Sequence, residues 1–440
     1  MSVTSACPGL VDPAALVAAS RRPEEPWFCL EQPDRHAASL AALGCVRELA
    51  AEGPGRFATV AAGWRSLAAT GADSDPPAPV PGAGLVAVGG FAFASDGGGD
   101  RGWAGFAASS LHVPELSLAR QGKQTFLTVN VDVGPDETLQ SLQDRVASRL
   151  GGLREAPLPM LDPAPTGTFE VRSVMPPSHY EEAVASAVQR ISAGALEKVV
   201  LAREVEVLAP SEHDPTAVFG LLRNAFPSCF VFAVGRGAAT FIAASPELLV
   251  RREGSRASTV ALAGSARRSA DPAVDDHLGE QLLRSDKDRE ENAIVARRIA
   301  RALRPHAVWV TAASEPVLVR VANIQHLAAP IRAQLARPLG AIDLAGLLHP
   351  TPAVGGEPQE SAARLIPALE GIDRGWYAGP VGWTDATGDG EFCVALRCAL
   401  LRGRHARLYA GAGIVRDSDP ASELAETEVK LQALLPVLAG

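Results

Sequence analysis

The chain has 440 residues, 47% of them hydrophobic, and a formal net charge of −9. That length holds one large domain or two average ones with an ample core, and no run reaches the roughly 18 unbroken apolar residues of a membrane span. The acidic balance, the lack of a basic block and a content of only three tyrosines exclude nucleic acid as the partner. The first residues, MSVTSACPGLVDP, carry neither a basic nor an apolar region, so no secretory signal is expected. Six cysteines lie scattered without a C-x-x-C pair or zinc spacing and read as reduced residues of a cytoplasmic protein.

Residues 1–165 are rich in Ala, Gly and Pro and give few signals. Within them, 84–95, 103–120 and 124–133 read as strands, and 137–150 has helical periodicity. Four prolines in 154–168 mark a linker or a crossover. From about 170 the pattern sharpens. Residues 178–194 predict a helix capped by Ser178, with Glu181 at the capping-box spacing and Gly194 at its end. A strand is expected at 197–209, a helix at 216–225, paired strands at 229–234 and 239–244, and a further pair around 248–252 and 259–262. One long polar helix is expected over about 274–303. Strands return at 375–385, 391–403 and 406–415, before a closing helix from about 422 to 438. Antiparallel strand pairs mixed with helices predict an α+β fold rather than βαβ repetition.

Chemistry-bearing residues stand out against this frame. Alternation in the 197–209 strand puts Lys198, Val200 and Ala202 on one face. A lysine among Val and Leu is partly desolvated, which favours its neutral, basic form; the plainer alternative is a strand-end lysine reaching solvent. Glu247 enters an apolar strand behind a proline, where a carboxyl in an apolar pocket stays protonated and can act as an acid, or where it is an ordinary turn glutamate. Gly264 and Ser265 offer backbone N–H groups that an anion could approach, or form a plain tight turn. Asp288 and Glu291 share a helix face at i, i+3, as do Glu423 and Glu426 on the final helix. Two such pairs facing one another would suit Mg²⁺; singly, each is a solvated face. Arg397 interrupts an apolar strand, and a buried charge needs an anionic partner. Gly413 ends a strand, and Lys430 lies one turn beyond Glu426.

Taken in order, the stretches EKVVLAR, ASPELLVRREG, LAGSARR, SDKDREEN, NIQHLAAPI, LHPTPAVGGEP, DRGWYAGPVGW, ALRCALL, YAGAGIV and SELAETEVKLQALL resemble the chorismate-utilising enzymes, the family of anthranilate, aminodeoxychorismate, isochorismate and salicylate synthases. They span about residues 178–438, with weaker similarity upstream at GGFAFAS and WAGF.

The resemblance implies one large α+β fold of two packed β-sheets flanked by helices. Residues 1–165 would be its divergent N-terminal part and 166–440 its chorismate-binding catalytic region, both in one compact unit. It implies that Glu291 and Glu426 hold Mg²⁺ with support from Asp288 and Glu423, and that Arg397, Lys430 and the backbone near Gly264, Ser265 and Gly413 hold substrate carboxylates, with Tyr409 nearby. His326 resembles the histidine beside the leaving hydroxyl. Family members that use water as nucleophile resemble this chain in having lysine at position 198, since attacking water must lose a proton to a base. Glu247 would then protonate the departing hydroxyl.

Ala353 resembles isochorismate synthases, whereas salicylate-forming and ammonia-using members tend to have threonine there. The expected activity is therefore an isochorismate synthase, of the type that serves siderophores through salicylate or 2,3-dihydroxybenzoate rather than menaquinone. The alternatives are a salicylate synthase and a non-catalytic chorismate-binding homologue. The expected substrate is chorismate, the expected cofactor Mg²⁺, and the expected state a monomer with no glutaminase subunit, nucleic acid or membrane partner. One departure is Asn292, where the family usually has histidine, so metal affinity or the geometry around the metal would differ.

Overall fold

The structure, a computed structural model, describes residues 1–70, 80–162, 165–322 and 324–440. Part of the proline-rich 154–168 stretch (163–164) and the first residue of the 323–331 motif lie outside them. Among the described residues the strands form two antiparallel sheets, of 12 and 10 strands. The larger runs Ser2–Ala6, Gln124–Asn130, Leu116–Gln121, Ala38–Leu43, Trp27–Gln32, Phe230–Arg236, Ala239–Ser245, Cys398–Arg402, His405–Ile414, Lys198–Leu208 and Gly356–Glu357, with Glu170–Ser173 also on Lys198–Leu208. The smaller runs Ala307–Ala312, Ile324–Leu335, Arg256–Arg267, Leu248–Glu253, Gly390–Val394, Pro380–Asp385, Val86–Phe91, Ser109–Val113 and Arg47–Ala50, with Val317–Arg320 also on Ile324–Leu335. Strands from the first 165 residues thus sit in both sheets beside strands from the rest of the chain.

Strand alternation builds the layers. Phe230, Phe232 and Val234 face the other sheet and join one core with Val88, Val250 and Phe392, while Val231 and Ala233 face outward. Trp103 and Trp376 are fully buried in the inner layer. Helices Pro13–Ser20 and Pro215–Ala225 cover the outer face of the larger sheet, and Asp286–Leu303 packs on Arg256–Arg267 and Ile324–Leu335 of the smaller one. The α+β architecture of two packed sheets flanked by helices is the expected one.

Several local expectations are corrected. The helix at Pro177–Ser192 has Pro176 at its N-cap and no side-chain cap, because Ser178 already lies inside the first turn. The expected helix over 274–303 is two, Pro272–Arg284 and Asp286–Leu303, with Ser285 ending one and capping the next. The closing helix is likewise two, Pro420–Leu431 and Leu435–Leu438. Residues 103–120 are a 3₁₀ turn at Arg101–Trp103 followed by two strands parted at Pro114, and 375–385 is a strand only from Pro380.

The most consequential correction falls at 391–403. It is two strands in different sheets, Gly390–Val394 in the smaller and Cys398–Arg402 in the larger. Arg397 sits in the crossing with a left-handed φ of 50°, a conformation costly for a non-glycine residue. A second crossing runs from Ala239–Ser245 into Leu248–Glu253 through Glu247. The crossings are tied together: Val394 N–H donates to Glu247 O at 3.0 Å and Ala244 N–H to Arg397 O at 3.1 Å.

Candidate active site

The two crossings place Glu247 and Arg397 side by side between the sheets. Glu247 is buried, and that burial pushes its carboxyl up to about 8 against the opposing pull of Lys198, Arg397 and Lys430. A carboxyl so placed carries its proton at neutral pH. Arg397 makes no ion pair among the described residues; its Nη2 donates to His326 Nε2 at 3.2 Å. Arginine can only donate, so Nε2 is the acceptor and His326 Nδ1–H faces Gly264 O at 3.3 Å. Burial, reinforced by the charges of Arg397 and Lys430, drops His326 to about 3, so the imidazole is neutral. A buried guanidinium bonded to a neutral ring leaves room for an anion.

Lys198 opens the strand Lys198–Leu208 on the face it shares with Val200 and Ala202, while Val199 and Leu201 pack outward against helices. Its ammonium is fully buried and lies 2.8 Å from Glu291 Oε1. Gly413 lets the two meet: a Cβ there would fall 2.3 Å from Glu291 Oε1 and 3.0 Å from Lys198 Cε.

Asp288 and Glu423 lie in the first turns of two helices, where the helix dipole favours negative charge, and Glu291 and Glu426 follow about one turn further on. Ser285 caps Asp286–Leu303 by accepting from Asp288 N–H at 3.2 Å, and its hydroxyl donates to the Asp288 carboxylate. Burial raises Asp288, aided by the neighbouring charges of Glu291 and Glu426. On Pro420–Leu431, Glu423 is buried and raised for the same first reason, with Glu426 adding repulsion. Lys287, which the sequence reading passed over, sits 3.0 Å from Glu423. Glu426 is half-buried; desolvation would raise it, but Lys430 at 2.7 Å and the Ser265 hydroxyl at 2.9 Å hold it down at about 2. Lys430 also donates to Gly411 O at 2.7 Å. Gly264 has φ +79° at a bulge in Arg256–Arg267, and a Cβ there would press on Asp288 at 2.9 Å.

Among the described residues no three His, Cys, Asp or Glu side chains converge closely enough to hold a metal ion. The donor set nevertheless has the chemistry of a hard-cation site: all-oxygen, from two helices, with three carboxylates each carrying a lysine ammonium where a divalent ion would supply positive charge.

Asn292, beside Glu291, is not turned to the carboxylates. Its buried amide donates to Ala261 O at 3.0 Å, Leu327 O at 3.0 Å and Ala263 O at 3.3 Å, fastening the helix to the strand that bulges at Gly264. Ala353 lies in the turn Thr351–Gly355, its N–H 3.3 Å from Thr351 Oγ1. Tyr409 stacks between Trp103 and Tyr377 in the core, and the strongest charges acting on it are Glu204 and Arg407 rather than the site carboxylates. Tyr377 was not singled out in the sequence, yet its hydroxyl stands 2.9 Å from where a side chain on Gly411 would begin. An aromatic inside GWYAGP gives no local sign of that position.

One buried acid, one buried lysine, an arginine without an ion pair among the described residues and carboxylates from two helices thus gather between the sheets. A family model described as chorismate binding enzyme matches residues 1–439. The chain is 38% identical over 431 residues to a salicylate biosynthesis isochorismate synthase of Pseudomonas aeruginosa, covering 98% of this chain and 88% of that one. It is 35% identical over 365 residues to an isochorismate synthase MenF of Bacillus subtilis, covering 81% and 75%. The structure of the menaquinone-specific isochorismate synthase MenF of Escherichia coli superposes with a TM-score of 0.82 at 26% identity, over 100% of this chain and 94% of that one. The chain belongs to the chorismate binding enzyme family.

Proposed function

We propose that the chain is an isochorismate synthase, which converts chorismate to isochorismate by adding water at C2 and expelling the C4 hydroxyl. The observation that carries this reading is the pairing of Glu247, protonated up to about pH 8, with Lys198, fully buried in the same site. Water attack needs a proton acceptor, and loss of hydroxide needs a proton donor. Lys198 Nζ, as the neutral amine once its own proton has left, takes the proton from the attacking water, and Glu247 gives its proton to the leaving oxygen while the ring double bonds shift between C2 and C4. The net change is the loss of one hydroxyl and the gain of another, so atoms and charge balance. Arg397, which makes no ion pair among the described residues, binds a substrate carboxylate, and neutral His326 orients its guanidinium.

The metal is magnesium in this reading, held by Glu291 and Glu426 with Asp288 and Glu423 in support. When bound it would neutralise the substrate's ring carboxylate and the charge that builds on the ring. The lysines now seated on Glu291 and Glu426 are the groups that must yield to it. The relatives named as isochorismate synthases support the reaction, and one of them is named for salicylate biosynthesis. We infer an outlet of the siderophore type here, toward salicylate or 2,3-dihydroxybenzoate. No helix among the described residues is long and apolar enough to cross a membrane, and a monomer without a glutaminase subunit remains the expected form. Product identification from chorismate and Mg²⁺ tests the reading, and formation of no isochorismate would reject it.

A further inference from the structure

The strand that carries Lys198 is paired along one edge by His405–Ile414, but its other edge is covered only at its ends. Gly356–Glu357 pairs with residues 198–199 and Glu170–Ser173 with 205–208, and among the described residues no strand pairs the backbone between them on that edge. Two charged side chains bond the backbone there, beside the Tyr180 hydroxyl, which donates to Leu201 O at 3.2 Å. Glu370 accepts from Ala202 N–H at 2.7 Å, and Arg374 Nη2 donates to Val200 O at 2.9 Å. The two residues bond each other, Arg374 Nε to Glu370 Oε2 at 2.9 Å, and their side chains are 3% and 1% exposed. Arg374 Nη1 reaches on to Val354 O at 2.8 Å, in the turn that holds Ala353, and that turn closes on the strand through Val200 N–H to Gly355 O at 2.7 Å.

We propose that the buried Glu370–Arg374 pair is a positioning device that locks the Lys198 strand and the Ala353 turn into one rigid unit. It thereby sets the placement of the base. The proposal rests on the isochorismate synthase reading. A buried ion pair is a poor source of stability, since apolar side chains of similar volume often do as well. Apolar replacements here could not satisfy Ala202 N–H, Val200 O and Val354 O, so the pair does what packing cannot. Only a planar fork serves two carbonyls and a carboxylate at once, which makes arginine, rather than lysine, the residue required. The guanidinium is further fixed over the Phe93 ring at 4.2 Å. A shift of the Lys198 strand relative to the turn would move the base against the bound ring, and small misplacements of that kind cost up to about 100-fold in rate.

The experiment compares wild type, Arg374→Lys, Glu370→Gln and a control, Arg149→Lys, which alters a buried ion pair with Glu25 away from the site. Each purified protein is checked for folding by circular dichroism. It is then assayed with chorismate and Mg²⁺ for isochorismate formation, kcat and KM, and followed by amide hydrogen exchange. In Arg374→Lys, kcat should fall about 10- to 100-fold with KM changed far less. Glu370→Gln, which keeps an acceptor for Ala202, should do the same more mildly. Exchange should quicken together at residues 200–204 and 351–355, and the control should match wild type in kcat whatever its Tm. Folded variants with wild-type kcat, or exchange that quickens in the strand but not the turn, would overturn the proposal. If Arg374→Lys does not fold, Glu370→Gln decides by the same readouts. A wild type that makes no isochorismate refutes the function reading instead, and the exchange result still judges the lock.

Discussion

Lys198 Nζ lies 2.8 Å from Glu291 Oε1, both side chains buried or nearly so. One residue is the candidate base for the attacking water and the other a candidate metal ligand, so the two roles meet in a single contact. Gly413 makes that contact possible, since any side chain there would occupy the space between them.

Lys198→Ala should therefore lose at least about 100-fold in kcat with a smaller change in KM, the pattern of an interaction made mainly in the transition state. Steady-state kinetics on the folded variant measures this. Near wild-type turnover would reduce the lysine to a structural partner of Glu291.

Glu247 gives a prediction on stability as well as rate. Its folded-state carboxyl is pushed up to about 8 from an ordinary value of 4.5, so the native state holds a proton that the unfolded chain gives up. Its contribution to stability is present below pH 4.5 and is lost as pH rises to about 8. Glu247→Gln removes that loss. The variant should be inactive, yet gain stability over wild type between about pH 6 and about pH 9, by roughly 2–5 kcal/mol. Wild-type activity should also fall above about pH 8 as the acid deprotonates. Thermal unfolding across pH checks the first part, and an unchanged difference in Tm would contradict it.

Chelation with EDTA should abolish turnover and Mg²⁺ should restore it. Mg²⁺ should also raise the Tm of wild type, because a ligand of the folded state stabilises it by about 2.7 kcal/mol at about 100 times its Kd. Glu426→Gln should blunt both responses while leaving the fold intact. Full activity in excess EDTA would remove the metal from the mechanism.

Asn292→Ala leaves the carbonyls of Ala261, Ala263 and Leu327 without their shared donor. The expected cost is about 1–3 kcal/mol, read by urea unfolding, together with weaker Mg²⁺ response because the helix bearing Glu291 is no longer fastened to the Gly264 bulge. Stability equal to wild type would show that this amide is dispensable.

Much of the site is visible in the chain before folding. The alternation around Lys198 holds in the folded strand, and the i, i+3 acidic pairs do lie on two helices, although no three acidic side chains converge as a metal cluster among the described residues. What escaped has a physical reason. Trp27–Gln32 is buried on both faces, so it shows no alternation to find. Arg397 is visible as a charge in an apolar run, but only the fold reveals that the run changes sheets there. The break at Ser285 hides inside a continuous polar pattern, because a serine cap inside a charged helix face leaves the hydrophobic period unchanged. Lys287 opposite Glu423 is a tertiary pairing between distant segments, and Glu370 with Arg374 gains its meaning only from the strand edge it covers.

The most direct test is to incubate the purified chain with chorismate and Mg²⁺ and identify the products over time by chromatography. Isochorismate that accumulates toward equilibrium with chorismate, with little pyruvate or salicylate, is the expected result. Pyruvate released in step with chorismate consumption would place the enzyme among the salicylate-forming lyases, and unchanged chorismate would contradict the central claim outright.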